Sequence, residues 1–459
     1  MIGKDEAFSA TPDTMFLLKI SERCFFRKHW FAVFFIAFIV IFIAHAQAAT
    51  PAPLNPSAEE VNQAFGIPLF TQEGFGQESA ADVAERLGLR KESETATESG
   101  YRLTPHADLN ILGVRSFSLF LQGIGGKAAR FSMIFANKGD IGAYASNQDR
   151  HLGTNVGIQT IALSPQMIQT YQAAIRHDGD RLKSALTTLL GPSIPATLGK
   201  VAGMDERGDR WNWQGSSLIL SSPRNEYVAL RVLPTALFDD SNAERRSFMA
   251  TKGLIAGRVI HRPNGDVIIT DMPMVDQGDK GYCVPATYER VLRYYGLSAD
   301  MNLLAMAGHT QAGGGTSVSS IAMAAYGYVR EAGGKIISGI SGSKITDIQP
   351  YIDKGEPVLW ALYSSEELNN RLGERMSQRA EVTDSMAAKE WNQKALPTAR
   401  KNAKTLPKKE GHVCLIIGYN HDTHEIAISD SWGPEYIERW LTEEEAQAVN
   451  LGEGTVIGW

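Results

Sequence analysis

The chain has 459 residues, 43% hydrophobic and 21% charged, with 45 Lys and Arg against 51 Asp and Glu. That length predicts two or three domains, and so ordinary a composition excludes a disordered or fibrous chain. A formal net charge of -6 leaves no electrostatic footprint for nucleic acid as a main partner, and three cysteines, Cys24, Cys283 and Cys414, build no disulfide framework.

Residues 30–44, WFAVFFIAFIVIFIA, are uncharged, preceded by Arg27 and Lys28 and followed by Ala-His-Ala and Ala-Gln-Ala. A basic flank, an apolar run and small-x-small sites predict a signal peptide over residues 1–48, cleaved after Ala46 or Ala48, with Met15 as an alternative start. The run falls short of the roughly 18 to 20 residues of a spanning helix, which leaves an uncleaved signal anchor as the lesser reading. The expected compartment is therefore periplasmic or extracellular, with membrane contact only through an uncleaved N-terminal segment. Cleavage removes Cys24, and an exported chain with two remaining cysteines and no staple to build has a reason to keep one for reactivity.

Residues 49–72 begin as a Pro/Ala-rich linker, with a short helix from Ser57 that has Glu60 in capping-box position. An α+β domain is expected over residues 73–240. It opens with a helix over 80–89 and a polar loop. RSFSLFLQ and RFSMIFAN then form a hairpin about GIGGKA. Ser164-Pro165 caps a helix to about residue 177, and residues 181–190 continue helical until Gly191-Pro192. A second hairpin pairs DRWNWQGSSLIL with EYVALRVLP. This half shows no chemistry: His106, His151 and His177 are scattered surface or hydrogen-bonded histidines, and Trp211 and Trp213 share a strand face as packing residues.

The polar stretch 236–256 is the expected boundary, and a second domain runs over 257–459. VIHRPNGDVIIT forms a hairpin at its Asn-Gly turn. In QGDKGYCVPATYERVLRYYG, residues 277–296, a glycine turn leads to a lone cysteine and an amphipathic helix. Val284, Thr287, Val291, Leu292 and Tyr295 recur at helical spacing, Glu289, Arg290 and Arg293 lie between them, and Pro285 fits the first turn. A thiol at a helix start is where the unpaired N–H groups favour thiolate. Helices over 301–306, 317–332 and 343–354 follow, with the strands GGKIISGI and PVLWALY. HVCLIIGYN, EIAISDSW and YIERWL then read as three strands in series. Between them, residues 364–410 form a charged insertion whose segment 394–409 holds six basic residues and no acid, read as a solvated, partly disordered loop.

Cysteine catalysis needs a thiol, an imidazole, a group that holds the imidazole, and donors for an oxyanion. The candidates are Cys283 as nucleophile, His412 as base, Asp430 as its orienting acid and Gln277 as oxyanion donor beside the Cys283 backbone N–H. Cys414, two residues beyond His412 on the same strand face, reads as core. His421 and His424 have no third ligand in sight for a metal. His309 reads as a loop histidine, and Gly313-Gly314-Gly315 lacks the Lys-Ser/Thr of a phosphate loop.

This order of Gln, Cys, His and Asx, with Ser-Trp-Gly after the acid, resembles the papain-like cysteine peptidases. MPMVDQGDKGYCVPATYERVLRYYG, GHVCLIIGYN and ISDSWG look closest to the double-glycine-leader, bacteriocin-processing branch. The resemblance covers about residues 272–433. It implies an α+β, papain-like domain in which a helical subdomain carrying Cys283 packs on an antiparallel sheet carrying His412 and Asp430. It also implies a peptide or protein substrate and no cofactor or metal. Tyr282, where that branch has Asp, and Trp432, after Asp430, are candidate substrate-contacting residues. Val284-Pro285 replaces the branch's Gly-Pro, Asp430-Ser431 its Asp-Pro, and no transporter is encoded. A cell-wall amidase or acyltransferase with the same triad, or an inactive binding module, remain the alternatives.

Overall fold

Ser57 starts the packed chain. Its hydroxyl accepts the Glu60 N–H while the Glu60 carboxylate accepts the Ser57 N–H, and this capping box opens α1 (Ala58–Phe65). Val61, Phe65, Leu69 and Phe70 enter the core at once, so the second part of the expected linker is structured. The computed structural model describes residues 54–458 except 73, 105–108, 141–163, 200–203, 241–250, 252 and 313–314. The expected signal peptide, His106, His151 and most of the expected boundary lie outside the described residues. Residues 53–459 form one compact unit.

The N-terminal half is a fully antiparallel sheet under one long helix. Its strands are β1 (Arg90–Glu94), β2 (Glu98–Leu103), β3 (Ser118–Ile124), β4 (Lys127–Asn137), β5 (Ile194–Leu198), β6 (Glu206–Trp213), β7 (Ser216–Ser221) and β8 (Tyr227–Pro234), in the order β1-β2-β3-β4-β8-β7-β6-β5. α2 (Ala80–Arg86) precedes them. Where two helical segments are expected, α3 (Pro165–Leu190) is continuous through Gly179. It buries Tyr171, Ile175, Leu182, Leu186 and Leu190 at helical spacing. Trp211 and Trp213 are core, their indole N–H groups donating to the carbonyls of Gly191 and Pro56 at 2.9 Å each.

The C-terminal half builds a second antiparallel sheet from β9 (Val259–His261), β10 (Asp266–Ile269), β11 (Lys335–Ser338), β12 (Val358–Ser364), β13 (Glu410–Asn420), β14 (Glu425–Ser429), β15 (Arg439–Thr442) and β16 (Asn450–Gly458). The path is β9-β10-β13-β12-β16-β11, with β14 on the other side of β13 and β15 beyond it. β13 changes partner along its length, from β12 over its first residues to β10 at Gly418. A side chain there would bring its Cβ within 2.5 Å of the Val267 carbonyl, so glycine permits the approach. The helices are α4 (Cys283–Tyr294), α5 (Met301–Ala307), α6 (Val318–Ala332), α7 (Ile345–Ile352), α8 (Glu366–Arg379), α9 (Ser385–Lys394), α10 (Leu396–Asn402) and α11 (Glu443–Val449).

Two expectations are corrected here. The insertion is not a partly disordered loop but three helices, α8 to α10, tied to the sheet and to α11 by ion pairs that composition cannot reveal. Arg379, buried, reaches Asp266 at 2.8 Å and Glu425 at 2.9 Å, and Arg375 reaches Glu445 at 2.9 Å. Arg379→Met leaves the buried Glu425 without its cation and Asp266 with only the more distant Arg262, 3.6 Å away, so it is expected to cost about 3–5 kcal/mol of unfolding free energy in denaturant titration. The second correction concerns α4. All twelve of its residues are buried, charged ones included. Its polar face is covered rather than solvated: Arg293 pairs with Glu98 of β2 at 2.6 Å and with Glu289, while Arg290 donates to the carbonyls of Pro273 at 2.8 Å and Ser429 at 3.2 Å.

Candidate active site

Cys283 is the first residue of α4 and follows a backbone turn at Tyr282 with no side-chain cap, leaving the first-turn N–H groups to the site. Thr287, one turn later on the same face, donates to the Val413 carbonyl at 3.2 Å and meets the Ser431 hydroxyl at 3.3 Å. These contacts seat the face carrying Cys283 against β13 and the segment after β14. His412, opposite Leu362 in the β12–β13 register, projects from that strand. Cys283 and His412 are 3% and 5% exposed, so access to the pair is narrow.

The imidazole is held from both sides. His412 Nε2 lies 2.8 Å from Asp430 Oδ1, and the ring also hydrogen-bonds the Cys283 side chain. A carboxylate on Nε2 fixes that nitrogen as a donor and leaves Nδ1 for the thiol. Burial alone pushes the imidazole down, but the hydrogen bonds and charges of Asp430 and Cys283 outweigh it and raise His412 to about 9. Asp430 is fully buried. Burial pushes its carboxyl up, yet the Arg439 guanidinium and His412 win, holding it below the usual carboxylate range. Trp432 stacks on His412 with ring centres 4.5 Å apart and planes at 25°, and Tyr436 meets Trp432 edge-on.

Gln277 joins this group through its backbone, whose N–H donates to the Ser431 carbonyl at 2.9 Å. Its side-chain Nε2 donates to the Lys280 carbonyl at 3.1 Å, while Oε1 is buried without a hydrogen-bond partner. The carbonyl acceptor orients the amide, since the flipped amide would set two oxygens against each other. One amide hydrogen is thereby committed to the loop and the second is left over. Tyr282 is placed differently: it is 2% exposed and packs with Val275, Ala286, Met301 and Ala305. Cys414 is fully buried opposite Trp360. Burial, followed by the Asp430 charge, pushes its thiol well above the usual range. His177, His309, His421 and His424 are exposed; His421 meets Gln349 and His424 meets Glu443.

Arg439 was not among the sequence candidates. Its Nε donates to Asp430 Oδ2 at 2.9 Å, its Nη2 reaches the same oxygen, and its Nη1 donates to Asn369 Oδ1 at 3.1 Å. Strand alternation was the available signal, because Arg439 shares a face with the fully buried Leu441. Asn369 sits on α8 and carried no signal, its position depending on how the insertion folds.

Residues 269–449 match the model of the Peptidase_C39 like family, and this suggests a cysteine peptidase. None of the curated proteins matches the sequence. Among solved structures, a cysteine-rich secretory protein from Staphylococcus aureus subsp. aureus Mu50 is similar at 6% identity and a TM-score of 0.18. That similarity covers 40% of this chain and 58% of the other, so this chain spans less than two thirds of that protein's length.

Proposed function

We propose that the protein is an exported cysteine peptidase that cleaves peptide bonds with a Cys283–His412–Asp430 triad. The observation that carries this reading is the unbroken chain from the Cys283 sulfur through the His412 ring to Asp430, closed by Arg439. In the resting pair His412 already holds the thiol proton, and the Cys283 thiolate attacks the peptide carbonyl, forming a carbon–sulfur bond. The oxyanion is met by the Cys283 N–H and the second amide hydrogen of Gln277. Collapse expels the amine, which takes the proton from His412, and water then hydrolyses the thioester by the reverse sequence of proton transfers. Trp432, half-exposed over the imidazole, offers its outer edge to substrate. Export rests on the basic flank, apolar run and small-x-small sites over residues 27–48. A peptide library incubated with the full chain tests the reading: cleavage that disappears in Cys283→Ala supports it, and cleavage of muropeptide amides alone would move the protein to the amidase class.

The raised imidazole gives the pH profile a direction. His412 keeps its proton until the pH rises through about 9, and the protonated ring is what the leaving amine needs. The value of kcat/KM is therefore expected to fall with an alkaline limb near pH 9. In Asp430→Asn the carboxylate that props up the imidazolium is gone and burial works unopposed by it. That limb is expected to move to lower pH, read from kcat/KM across pH 5 to 10.5 with a substrate found in the library.

A further inference from the structure

The segment that carries Gln277 is held by the other half of the chain. The Asp276 N–H donates to Glu92 Oε1 of β1 at 2.8 Å, and the Met274 N–H donates to the hydroxyl of Ser93 at 3.0 Å. Val275, between these two, is fully buried against Tyr282 and Ala286. Glu92 is itself fixed, since Arg102 Nε of β2 donates to the same Oε1 at 2.6 Å and its guanidinium rests 4.6 Å from the Phe120 ring centre.

The far end of the loop is gripped as well. Lys280, whose carbonyl orients the Gln277 amide, is itself buried and pairs through Nζ with Asp140 at 3.3 Å. Beside it the Tyr282 ring lies so close to Gly139 that a Cβ there would come within 2.8 Å of it. Between these anchors Asp276 Oδ1 accepts the Gly278 N–H at 2.9 Å, and the Gln277 N–H donates to the Ser431 carbonyl of the C-terminal half at 2.9 Å. Glu92, Ser93, Gly139 and Asp140 all belong to the N-terminal half, and the residues they hold flank Gln277 on both sides.

We propose that Glu92 is a positioning residue of the oxyanion site: through the Asp276 N–H it sets the Gln277 loop, with Asp140 holding the loop's other end. The inference rests on the cysteine-peptidase reading. It makes the N-terminal half a standing part of the catalytic apparatus rather than a separate substrate module or a removable inhibitory segment. The physical reason is that oxyanion donors act by preorganisation, so a loop free to drift by about 1 Å loses transition-state stabilisation without losing substrate affinity.

The test uses the full chain with Glu92→Ala, Glu92→Gln and Ser93→Ala, and measures kcat, KM and the rate of Cys283 alkylation by iodoacetamide. Alkylation needs the thiolate but no oxyanion donor. Glu92→Ala is expected to lower kcat about 10- to 100-fold, a part of the roughly 10²–10³-fold cost of losing an oxyanion donor, with KM and alkylation within about twofold. Glu92→Gln keeps an acceptor for the Asp276 N–H and is expected to recover most of kcat. Unchanged kcat in Glu92→Ala overturns the proposal, as does a parallel loss of kcat and alkylation. Should Glu92→Ala not fold, Ser93→Ala carries the same contrast without leaving a charge unpaired. A wild-type chain that cleaves no peptide defeats the peptidase reading. The positioning claim is then decided by a peptide aldehyde, whose adduct oxygen needs the same donors: at least tenfold weaker protection of Cys283 in Glu92→Ala supports it, and equal protection overturns it.

Discussion

His412→Ala is expected to lower kcat/KM for peptide hydrolysis by about 10²- to 10⁴-fold, the usual worth of a positioned general base. The size follows from the double task the geometry gives this ring. It must hold the proton of the thiol it hydrogen-bonds and hand it to the leaving amine, while Asp430 keeps the ring in place. Cys283→Ala is expected to remove turnover altogether, because the covalent step has no second nucleophile: Cys414 is fully buried and its thiol is pushed well above the usual range. The double variant should be little worse than Cys283→Ala alone, since members of a triad act as a unit. Additive losses, or an active Cys283→Ala, would place the chemistry elsewhere.

Arg439→Met is expected to damage stability and catalysis together, costing about 3–5 kcal/mol of unfolding free energy because Asp430 is left as a buried charge without its cation. In the native site burial pushes the Asp430 carboxyl up and the Arg439 charge more than offsets it, so the folded value lies below the unfolded one. A depressed carboxyl contributes stability that is present above the unfolded value of about 3.9 and is lost as the pH falls through the folded value. Without Arg439 that contribution shrinks, and acid unfolding should begin at higher pH. The same change removes a cation that competes with the imidazolium for Asp430, so the alkaline limb near pH 9 should move up. Arg439→Lys keeps the charge but cannot place Nε and Nη2 on Asp430 while Nη1 holds Asn369. It is expected to recover less than half of the lost stability. Chemical denaturation at pH 7 and 4, with kcat/KM against pH, reads both effects.

The catalytic elements were legible in the sequence because their signals are local. A glycine turn, a cysteine and a 3.6-residue periodicity place Cys283 at a helix start, and an apolar strand after Gly411 places His412. What stayed hidden depends on partners far along the chain. Residues 90–94, RKESE, read as a polar loop, yet they form an edge strand whose Glu92 and Ser93 receive backbone donors more than 180 positions away. The same blindness hid what covers Glu289, Arg290 and Arg293 and turned the Arg379 helix into a loose insertion. A charged residue looks exposed until its counter-charge is located, and composition does not locate it.

Whether Cys283 and His412 form an activated pair is read by alkylation. The folded chain is treated with iodoacetamide at pH 6, where a thiol of ordinary acidity, about 8.5, is almost wholly protonated, and the labelled cysteine is mapped by mass spectrometry. An activated pair gives rapid labelling of Cys283, none of Cys414, and loss of the Cys283 label in His412→Ala. Labelling of Cys283 no faster than in the denatured chain, or equally fast without His412, would contradict it.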